Sequence, residues 1–293
     1  MSAKFKTIGL VGTPDDQRVA ETLQSLAGHL KGRGTDVLVL GDDWGEKITA
    51  GVAVSRDELA NRAELVMSVG GDGTMLFAVQ LVATRGTPLV GINRGRLGFL
   101  ADISPDELGV SIDAILDGEY LRETRAMLMA GLRSGTSGKN YALNDIVLQR
   151  AGDTRLIDIE TRVNGTYLNT HSSDGLIIAT PTGSTAYALS CGGPILEPSL
   201  NAVAIVPICP HTLSDRPIVI DGDSEITVRL IGRKGLSGQI SCDGRPYADL
   251  HPGDELTVEV APFGATLLHP KNYDYAKILR SKLAWGHSSR RSR

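Results

Sequence analysis

Two glycine-rich segments of the chain contain residue types that could handle a phosphorylated ligand. The first is Gly-Gly-Asp-Gly-Thr at 70–74, which follows an apolar run typical of a strand and precedes a helical pattern. Glycines let the backbone approach a phosphate closely, and the N–H groups and dipole of a following helix attract the anion. Asp72 repels phosphate, so its chemistry would be to accept a proton from a hydroxyl group or to hold a metal ion. The structural alternative is a tight turn in which Asp72 caps the helix.

The second segment runs from Asp174 to Tyr187 and joins an apolar strand pattern to a loop rich in hydroxyl groups. The threonines and serine within 180–185 offer short donors suited to sugar hydroxyls, an amide or phosphate oxygens. The structural alternative is a series of Ser, Thr and Gly turns.

Asn144 and Asp145 place an amide beside a carboxylate at the head of a further apolar run. Asparagine can bind an adenine edge through two hydrogen bonds, and a carboxylate can accept hydrogen bonds from two ribose hydroxyls. Taken alone, an Asn-Asp pair is commonly a turn.

Two familiar nucleotide-binding patterns are missing from the sequence. A Walker loop requires GxxxxGK[ST], but Gly138-Lys139 is followed by Asn140. The glycines between Gly9 and Gly12 also lack the GxGxxG spacing of a dinucleotide fingerprint. A hydride-transfer enzyme therefore loses its usual sequence support.

The elements that must position these segments change in character near residue 123. Before it, buried strand patterns alternate with helical patterns, which predicts a doubly wound α/β domain over 1–122. After it, apolar residues recur at every second position between turn signals, which predicts an antiparallel, sandwich-like all-β domain over 123–274. A last helical pattern begins at Tyr275, and we expect the helix, within 275–293, to pack back onto the first domain.

Composition excludes several classes of protein and partner. The 293 residues carry a net charge of −4, which argues against a nucleic-acid partner. No apolar run approaches the ~18 residues of a membrane helix, and no signal peptide is evident, so we expect a cytoplasmic protein without a membrane partner. Its 3 cysteines form no CxxC pair and are expected to be reduced thiols. Its 34 glycines cluster, as expected where backbone lies against a ligand or in tight turns.

Taken in order along the chain, these motifs resemble the bacterial-type NAD kinases of the ATP-NAD kinase family. The match rests on Gly-Gly-Asp-Gly-Thr at 70–74, Asn-Asp at 144–145 and the run at 174–187, and segments at 91–100 and 210–213 add to it. The resemblance implies the two-domain NAD kinase fold. It also implies an ATP-dependent enzyme that phosphorylates the 2′-hydroxyl of the adenosine ribose of NAD to give NADP.

The resemblance also implies a role for each matching residue. Asp72 would accept the proton of the 2′-hydroxyl, with Gly73 beside it. Asn144 and Asp145 would hold adenine and ribose, and Asp174 would face the nicotinamide end. The other residues implied to contact the dinucleotide are Arg155, Ser172, Thr185, Ala186, Tyr187, Ser190 and Arg245.

Substrates and assembly follow from the same resemblance. NAD and ATP would be the substrates, and a divalent cation, Mg²⁺ or Mn²⁺, would arrive with ATP without a dedicated set of protein ligands. Members of the family form homodimers or homotetramers. Two alternatives are a non-catalytic dinucleotide sensor with the same pocket and a lipid or sugar kinase of the wider GGDG group.

Overall fold

The computed structural model describes residues 4–13, 16–44, 47–95, 98–133, 138–152, 156–232 and 235–285. In chain order the helices and strands are β1 (Thr7–Gly12), α1 (Gln17–Gly32), β2 (Asp36–Leu40), α2 (Gly41–Trp44), β3 (Val52–Val54), α3 (Arg56–Arg62), β4 (Leu65–Gly70), α4 (Asp72–Val82), β5 (Leu89–Asn93), α5 (Leu108–Leu116), β6 (Leu121–Arg125), β7 (Leu128–Leu132), β8 (Asn140–Ala142), β9 (Asp145–Arg150), β10 (Ile157–Val163), β11 (Thr166–Ser173), β12 (Gly175–Ala179), α6 (Tyr187–Ser190), β13 (Ala202–Ile208), β14 (Ile218–Asp221), β15 (Ile226–Ile231), β16 (Gly238–Cys242), β17 (Arg245–Leu250), β18 (Glu255–Val260), β19 (Ala265–His269) and α7 (Tyr275–Lys282).

The first of two compact units comprises residues 1–124 and 265–293. In its described part, one sheet has the strand order β3-β2-β1-β4-β5-β19-β6. The strands from β1 to β5 pair in parallel with their neighbours, and β19 joins β5 in parallel. Every residue of β4 and β5 is buried, as expected when helices cover both faces of a parallel sheet.

Helices lie on both faces of this sheet. Leu10 of β1 shares a buried apolar cluster with Val19 and Leu23 of α1. Gly9 faces the other way, and a Cβ there would lie 2.8 Å from Leu59 of α3. Successive residues of a strand point to opposite faces, so α1 and α3 cover opposite sides. The predicted doubly wound α/β domain is confirmed.

The second compact unit comprises residues 125–264. Its described strands form two antiparallel sheets, ordered β11-β10-β15-β18-β7-β8 and β14-β13-β12-β9-β16-β17. Ile159 and Val228 of the first sheet share one buried cluster with Leu148, Ile178 and Ile240 of the second. The predicted sandwich-like all-β domain is therefore confirmed.

The second domain ends earlier than the sequence predicts. Residues 265–269 were expected in the β domain over 123–274, but β19 pairs with β5 in the sheet of the first unit. All five residues of β19 are buried, so the strand lacks the alternation of buried and exposed residues typical of a sandwich strand. The sequence pattern therefore does not show where this strand begins or ends. The predicted terminal helix is observed as α7, and residues 286–293 lie outside the described part of the chain. Among the described helices, none has the length and apolar character needed to cross a membrane.

A substitution on β5 tests how tightly the following segment packs on the sheet. A Cβ at Gly91 would lie 2.6 Å from the carbonyl oxygen of Leu100 and 2.7 Å from Cα of Ala101. We expect Gly91→Ala to lower the free energy of unfolding by about 1–3 kcal/mol, because backbone must move to admit the methyl group. Urea unfolding measures the change.

The matched control is Gly109→Ala in α5, where no heavy atom lies within 4 Å of the added Cβ. Alanine is the better helix former, so this variant should gain about 0.5–1 kcal/mol. Equal effects of the two variants would contradict the packing described for Gly91.

Candidate active site

Asp72 is held by main-chain N–H groups of a distant segment. It opens α4, whose N-cap residue Gly71 provides no side-chain hydrogen bond. The Asp72 carboxylate accepts hydrogen bonds from the N–H groups of Phe99 (3.0 Å), Leu100 (3.0 Å) and Ala101 (3.4 Å). The alternative in which Asp72 caps its own helix is therefore wrong. Hydrogen bonds from N–H groups to a carboxylate are strong because the acceptor is charged, so these contacts hold the Asp72 carboxylate in one orientation.

Glycines make this arrangement sterically possible. A Cβ at Gly98 would overlap Oδ1 of Asp72, so only glycine leaves room for the carboxylate. A Cβ at Gly70 would lie 2.7 Å from the hydroxyl of Thr13, which is itself 2.6 Å from the hydroxyl of Thr74. Gly73 is exposed, and a Cβ there would meet nothing within 4 Å. The backbone of the turn is therefore open to a ligand, as the glycine spacing predicts.

In the second unit, Asn144 and Asp145 are held by a second aspartate. The Asp243 carboxylate accepts hydrogen bonds from the N–H groups of Leu143 (2.8 Å), Asn144 (2.7 Å) and Asp145 (3.3 Å). Asp243 has a φ of +48°, in the left-handed region that aspartate tolerates in turns. The β16–β17 turn thus fixes the backbone of the Asn-Asp pair.

Asp145 is a buried carboxyl group. It is 5% exposed, and burial, together with the nearby charge of Asp243, raises the pKa of Asp145 to about 7. A perturbed carboxyl of this kind is typical of functional sites. At neutral pH the group is therefore divided between its neutral and its charged form.

Asp174 and Tyr187 lie at the opposite end of strands β9 and β12 from Asn144. Asp174 precedes β12, and its carboxylate lies 3.2 Å from Nε of Arg150. Ser172, on β11 of the other sheet of this unit, donates a hydrogen bond to Asp158. The phenol of Tyr187 accepts a 3.0 Å hydrogen bond from Gln149, which is paired with Gly175. The five residues of β12 separate this end from Asn144 by roughly 15–20 Å.

The hydroxyl-rich loop uses its hydroxyls mainly within the protein. Thr180 donates to the carbonyl of Leu143 (2.6 Å), Ser184 to that of Pro181 (2.6 Å) and Thr185 to that of Thr182 (3.1 Å). We expected these hydroxyls to donate hydrogen bonds to a ligand. In the structure, those of Thr180, Ser184 and Thr185 donate to main-chain carbonyls instead. The loop is instead a rigid support that runs from Gly183, whose missing side chain makes room for the Asn144 carbonyl, to Tyr187.

The remaining predicted residues are distributed as follows. Arg245 is exposed at the start of β17, two residues after Asp243, and therefore at the Asn144 end of the sheet. Ala186 is half-buried and Ser190 is exposed at the end of α6. Arg155 lies outside the described residues. Asp72 and Gly73 belong to the first unit and the other described site residues to the second.

The sequence does not identify two residues, one in each unit, that position predicted site residues of their own unit. In the sequence Asp243 is only the first residue of an Asp-Gly dipeptide typical of a turn, and its contact with Leu143 spans 100 residues of chain. Gly98 was recognised only as part of a motif, although its lack of a side chain admits the Asp72 carboxylate. For Asp243 the available signal was an acidic residue in a tight turn, which does not identify its partner.

Comparison with known families and structures extends this description. Residues 8–120 match the ATP-NAD kinase N-terminal domain, and residues 143–269 match the ATP-NAD kinase C-terminal domain. The chain is 45% identical to a protein named NAD kinase from Nitrosococcus oceani, over 98% of this chain and 99% of that protein. It is also 45% identical to one of the same name from Methylococcus capsulatus, over 98% and 100%.

Two solved structures share the fold. The crystal structure of yeast NADH kinase complexed with NADH has a TM-score of 0.91 and 27% identity, covering 98% of this chain and 90% of that one. An NAD kinase from Archaeoglobus fulgidus in complex with ATP has a TM-score of 0.74 and 28% identity, covering 94% and 99%.

Together, the fold and the site define a two-domain kinase whose α/β unit has a glycine-rich turn at the carboxyl end of the central strand β4. The matches over both units specify which kind of kinase. The chain belongs to the ATP-NAD kinase family.

The buried Asp145 makes a prediction about stability and pH. Its native pKa of about 7 lies above 3.8, the ordinary value for an aspartate, so the native state binds more protons between these values and loses stability as pH rises through them. We expect Asp145→Asn to raise the free energy of unfolding at pH 8, by at most about 4 kcal/mol, and by much less at pH 5. Urea unfolding at the two pH values measures the difference.

Asp249→Asn is the matched control, because Asp249 is an exposed carboxylate on β17 of the same sheet. It should leave stability unchanged at both pH values. The account of Asp145 would be wrong if its variant gave the same change at pH 5 as at pH 8.

Proposed function

We propose that this protein transfers the γ-phosphoryl group of ATP to the 2′-hydroxyl of the adenosine ribose of NAD, and that Asp72 accepts the hydroxyl proton. Family membership supports the reaction, an ATP-dependent phosphorylation of NAD to NADP. The observation that carries the role of Asp72 is its carboxylate, oriented by hydrogen bonds and lying beside an open glycine turn.

The proposed phosphoryl transfer is a direct displacement at the γ-phosphorus. The 2′-oxygen forms a bond to the γ-phosphorus as its proton passes to Asp72, and the bond from phosphorus to the β–γ bridging oxygen breaks. ADP leaves with that electron pair, and Asp72 later returns its proton to water. Since phosphoryl transfer has a loose transition state, the hydroxyl loses its proton late, and a carboxylate that already accepts hydrogen bonds is a sufficient base.

Positioning and charge neutralisation supply most of the rate under this proposal. The dipole at the start of α4 favours phosphate, and the exposed backbone at Gly71 and Gly73 lets it approach. Mg²⁺ or Mn²⁺ would enter as part of the nucleotide substrate and offset charge on the phosphates. Within the described residues, no cluster of three or more His, Cys, Asp or Glu could hold a metal ion.

NAD binding is assigned to the second unit. Asn144 would bind adenine and Asp145, in its charged form, the ribose hydroxyls. The support for this role is the rigid placement of both backbones by Asp243. Asp174 would bind the nicotinamide end. The remaining proposed contacts are Arg155, Ser172, Thr185, Ala186, Tyr187, Ser190 and Arg245.

The working form of the enzyme is also part of the proposal. We infer a cytoplasmic homodimer or homotetramer. The three free cysteines, Cys191, Cys209 and Cys242, are in keeping with a reducing compartment. Light scattering on the active enzyme tests the assembly, and a fully active monomer would contradict it.

Replacement of the proposed base tests the mechanism. Asp72→Asn should lower kcat by about 10²–10⁴-fold, because the amide cannot accept the proton. The dissociation constant for NAD should stay close to that of the unsubstituted protein. NADP is detected with an NADP-specific dehydrogenase after incubation with NAD and Mg-ATP, and NAD binding is measured by calorimetry.

The control is Asp57→Asn, since Asp57 is likewise an acidic residue in the first turn of a helix of the same unit but is exposed. It should retain full turnover. A near-normal kcat for Asp72→Asn would remove Asp72 from the role of base, whereas NAD binding without any NADP in the unsubstituted protein would favour a dinucleotide sensor.

A further inference from the structure

A buried histidine at the end of β19 connects two carboxylates of the first unit. His269 is 1% exposed. Its Nδ1 lies 2.9 Å from Oδ2 of Asp102, and its Nε2 lies 3.2 Å from Oε2 of Glu123 on β6. A neutral imidazole has a single N–H group, so only the doubly protonated ring can donate to both carboxylates. The contacts therefore select the imidazolium form.

The Asp102 carboxylate depends on this contact. Its side chain is 7% exposed, and its second oxygen, Oδ1, is buried without a hydrogen-bond partner among the described residues. A buried carboxylate that loses its counter-charge is strongly unfavourable. A neutral His269 can donate to only one of the two carboxylates and carries no charge to balance the buried Asp102, so loss of its proton would weaken the anchoring of Asp102.

Asp102 directly follows the segment that holds Asp72. The N–H groups of Phe99, Leu100 and Ala101 donate to the Asp72 carboxylate, and Ala101 is the chain neighbour of Asp102. On the far side, Ile103 is tied to β5, where its carbonyl accepts from the N–H of Asn93 (2.8 Å). Asp102 is thus the side-chain anchor between these two backbone contacts.

The charges around the histidine favour its protonated form. Burial opposes the charge, but hydrogen bonds to Asp102 and Glu123 more than offset it and raise the pKa of His269. The ring of Tyr273 stacks on the imidazole at 3.9 Å between centroids. A cavity of about 200 Å³ lined by Asp102 and Tyr273 also contains the ionisable groups Glu107, Asp274 and Lys277, and Asp274 pairs with Arg280.

We propose that protonated His269 is a positioning residue for the phosphoryl transfer, because its bridge between Glu123 and Asp102 fixes the 99–101 amides that orient the Asp72 carboxylate. This inference rests on the proposed function of Asp72. The group whose pKa is raised keeps its bridge at low pH and loses it as pH rises through that pKa. Turnover should therefore fall on the alkaline side as the bridge opens.

Removal of either carboxylate should shift this alkaline fall. Without one negative neighbour, the pKa of His269 decreases, so the fall of kcat moves to lower pH by about 1 unit or more in Asp102→Asn. The milder Glu123→Gln, at a half-buried position, should move it in the same direction by less. His269→Gln should lower kcat by about 10–100-fold and abolish the alkaline fall, with KM for NAD unchanged.

The matched control is Glu119→Gln, because Glu119 is an exposed carboxylate paired with Lys271 (3.4 Å) in the same unit. Its pH profile should superimpose on that of the unsubstituted enzyme. Superimposable profiles for Glu123→Gln and Asp102→Asn as well would overturn the proposal.

A second measurement does not depend on turnover and separates this inference from the proposed function. Hydrogen exchange at the amides of 99–101, followed by NMR, should accelerate beyond the intrinsic pH effect as the His269 ring signals titrate, and at lower pH in Glu123→Gln. If the unsubstituted protein makes no NADP, the proposed function fails while this structural coupling is still measured. Exchange that is unaffected by His269 titration would overturn the coupling itself.

Discussion

One interaction organises the first unit: a carboxylate at the start of a helix accepts hydrogen bonds from three successive N–H groups of another segment. The Asp72 carboxylate is turned to that segment instead of capping the N-terminus of α4, the usual role of a first-turn acid. The arrangement requires parallel pairing of β4 with β5, which brings Gly70 opposite Asn93, and it requires glycine at 98. Strand order, glycine position and the orientation of the proposed base are therefore parts of one constraint.

The second unit repeats the same device for a different purpose. Asp243 has a left-handed backbone conformation, and its carboxylate accepts hydrogen bonds from three N–H groups. These bonds fix the backbone of Asn144 and Asp145. Burial, together with the nearby charge of Asp243, raises the pKa of Asp145 to about 7, at a cost in stability that grows as pH rises toward that value. Such local costs are common where a protein holds groups ready for a ligand. The hydroxyl-rich loop bears no such cost, because its hydroxyls satisfy its own carbonyls.

The sequence predicts those parts of the structure that depend on local pattern. Alternation at Ile157 and Ile159 identifies a sandwich strand, and an apolar run before Gly70 identifies the strand that presents Asp72. It does not predict β19, because a strand buried on both faces lacks alternation. Nor does it predict the contacts of Asp72 and Asp243, since their donors are main-chain N–H groups, which every residue except proline has, at separations of 27 to 100 residues.

A carboxylate held in one orientation can serve one hydroxyl of a ribose and not its neighbour. The most direct measurement therefore uses an NAD analogue that lacks the adenosine 2′-hydroxyl but keeps the 3′-hydroxyl, incubated with Mg-ATP and followed by ³¹P NMR. The account predicts that the analogue binds, inhibits competitively against NAD and gains no phosphate. Transfer of phosphate to its 3′-hydroxyl would contradict the proposed role of Asp72 as the proton acceptor for the 2′-hydroxyl.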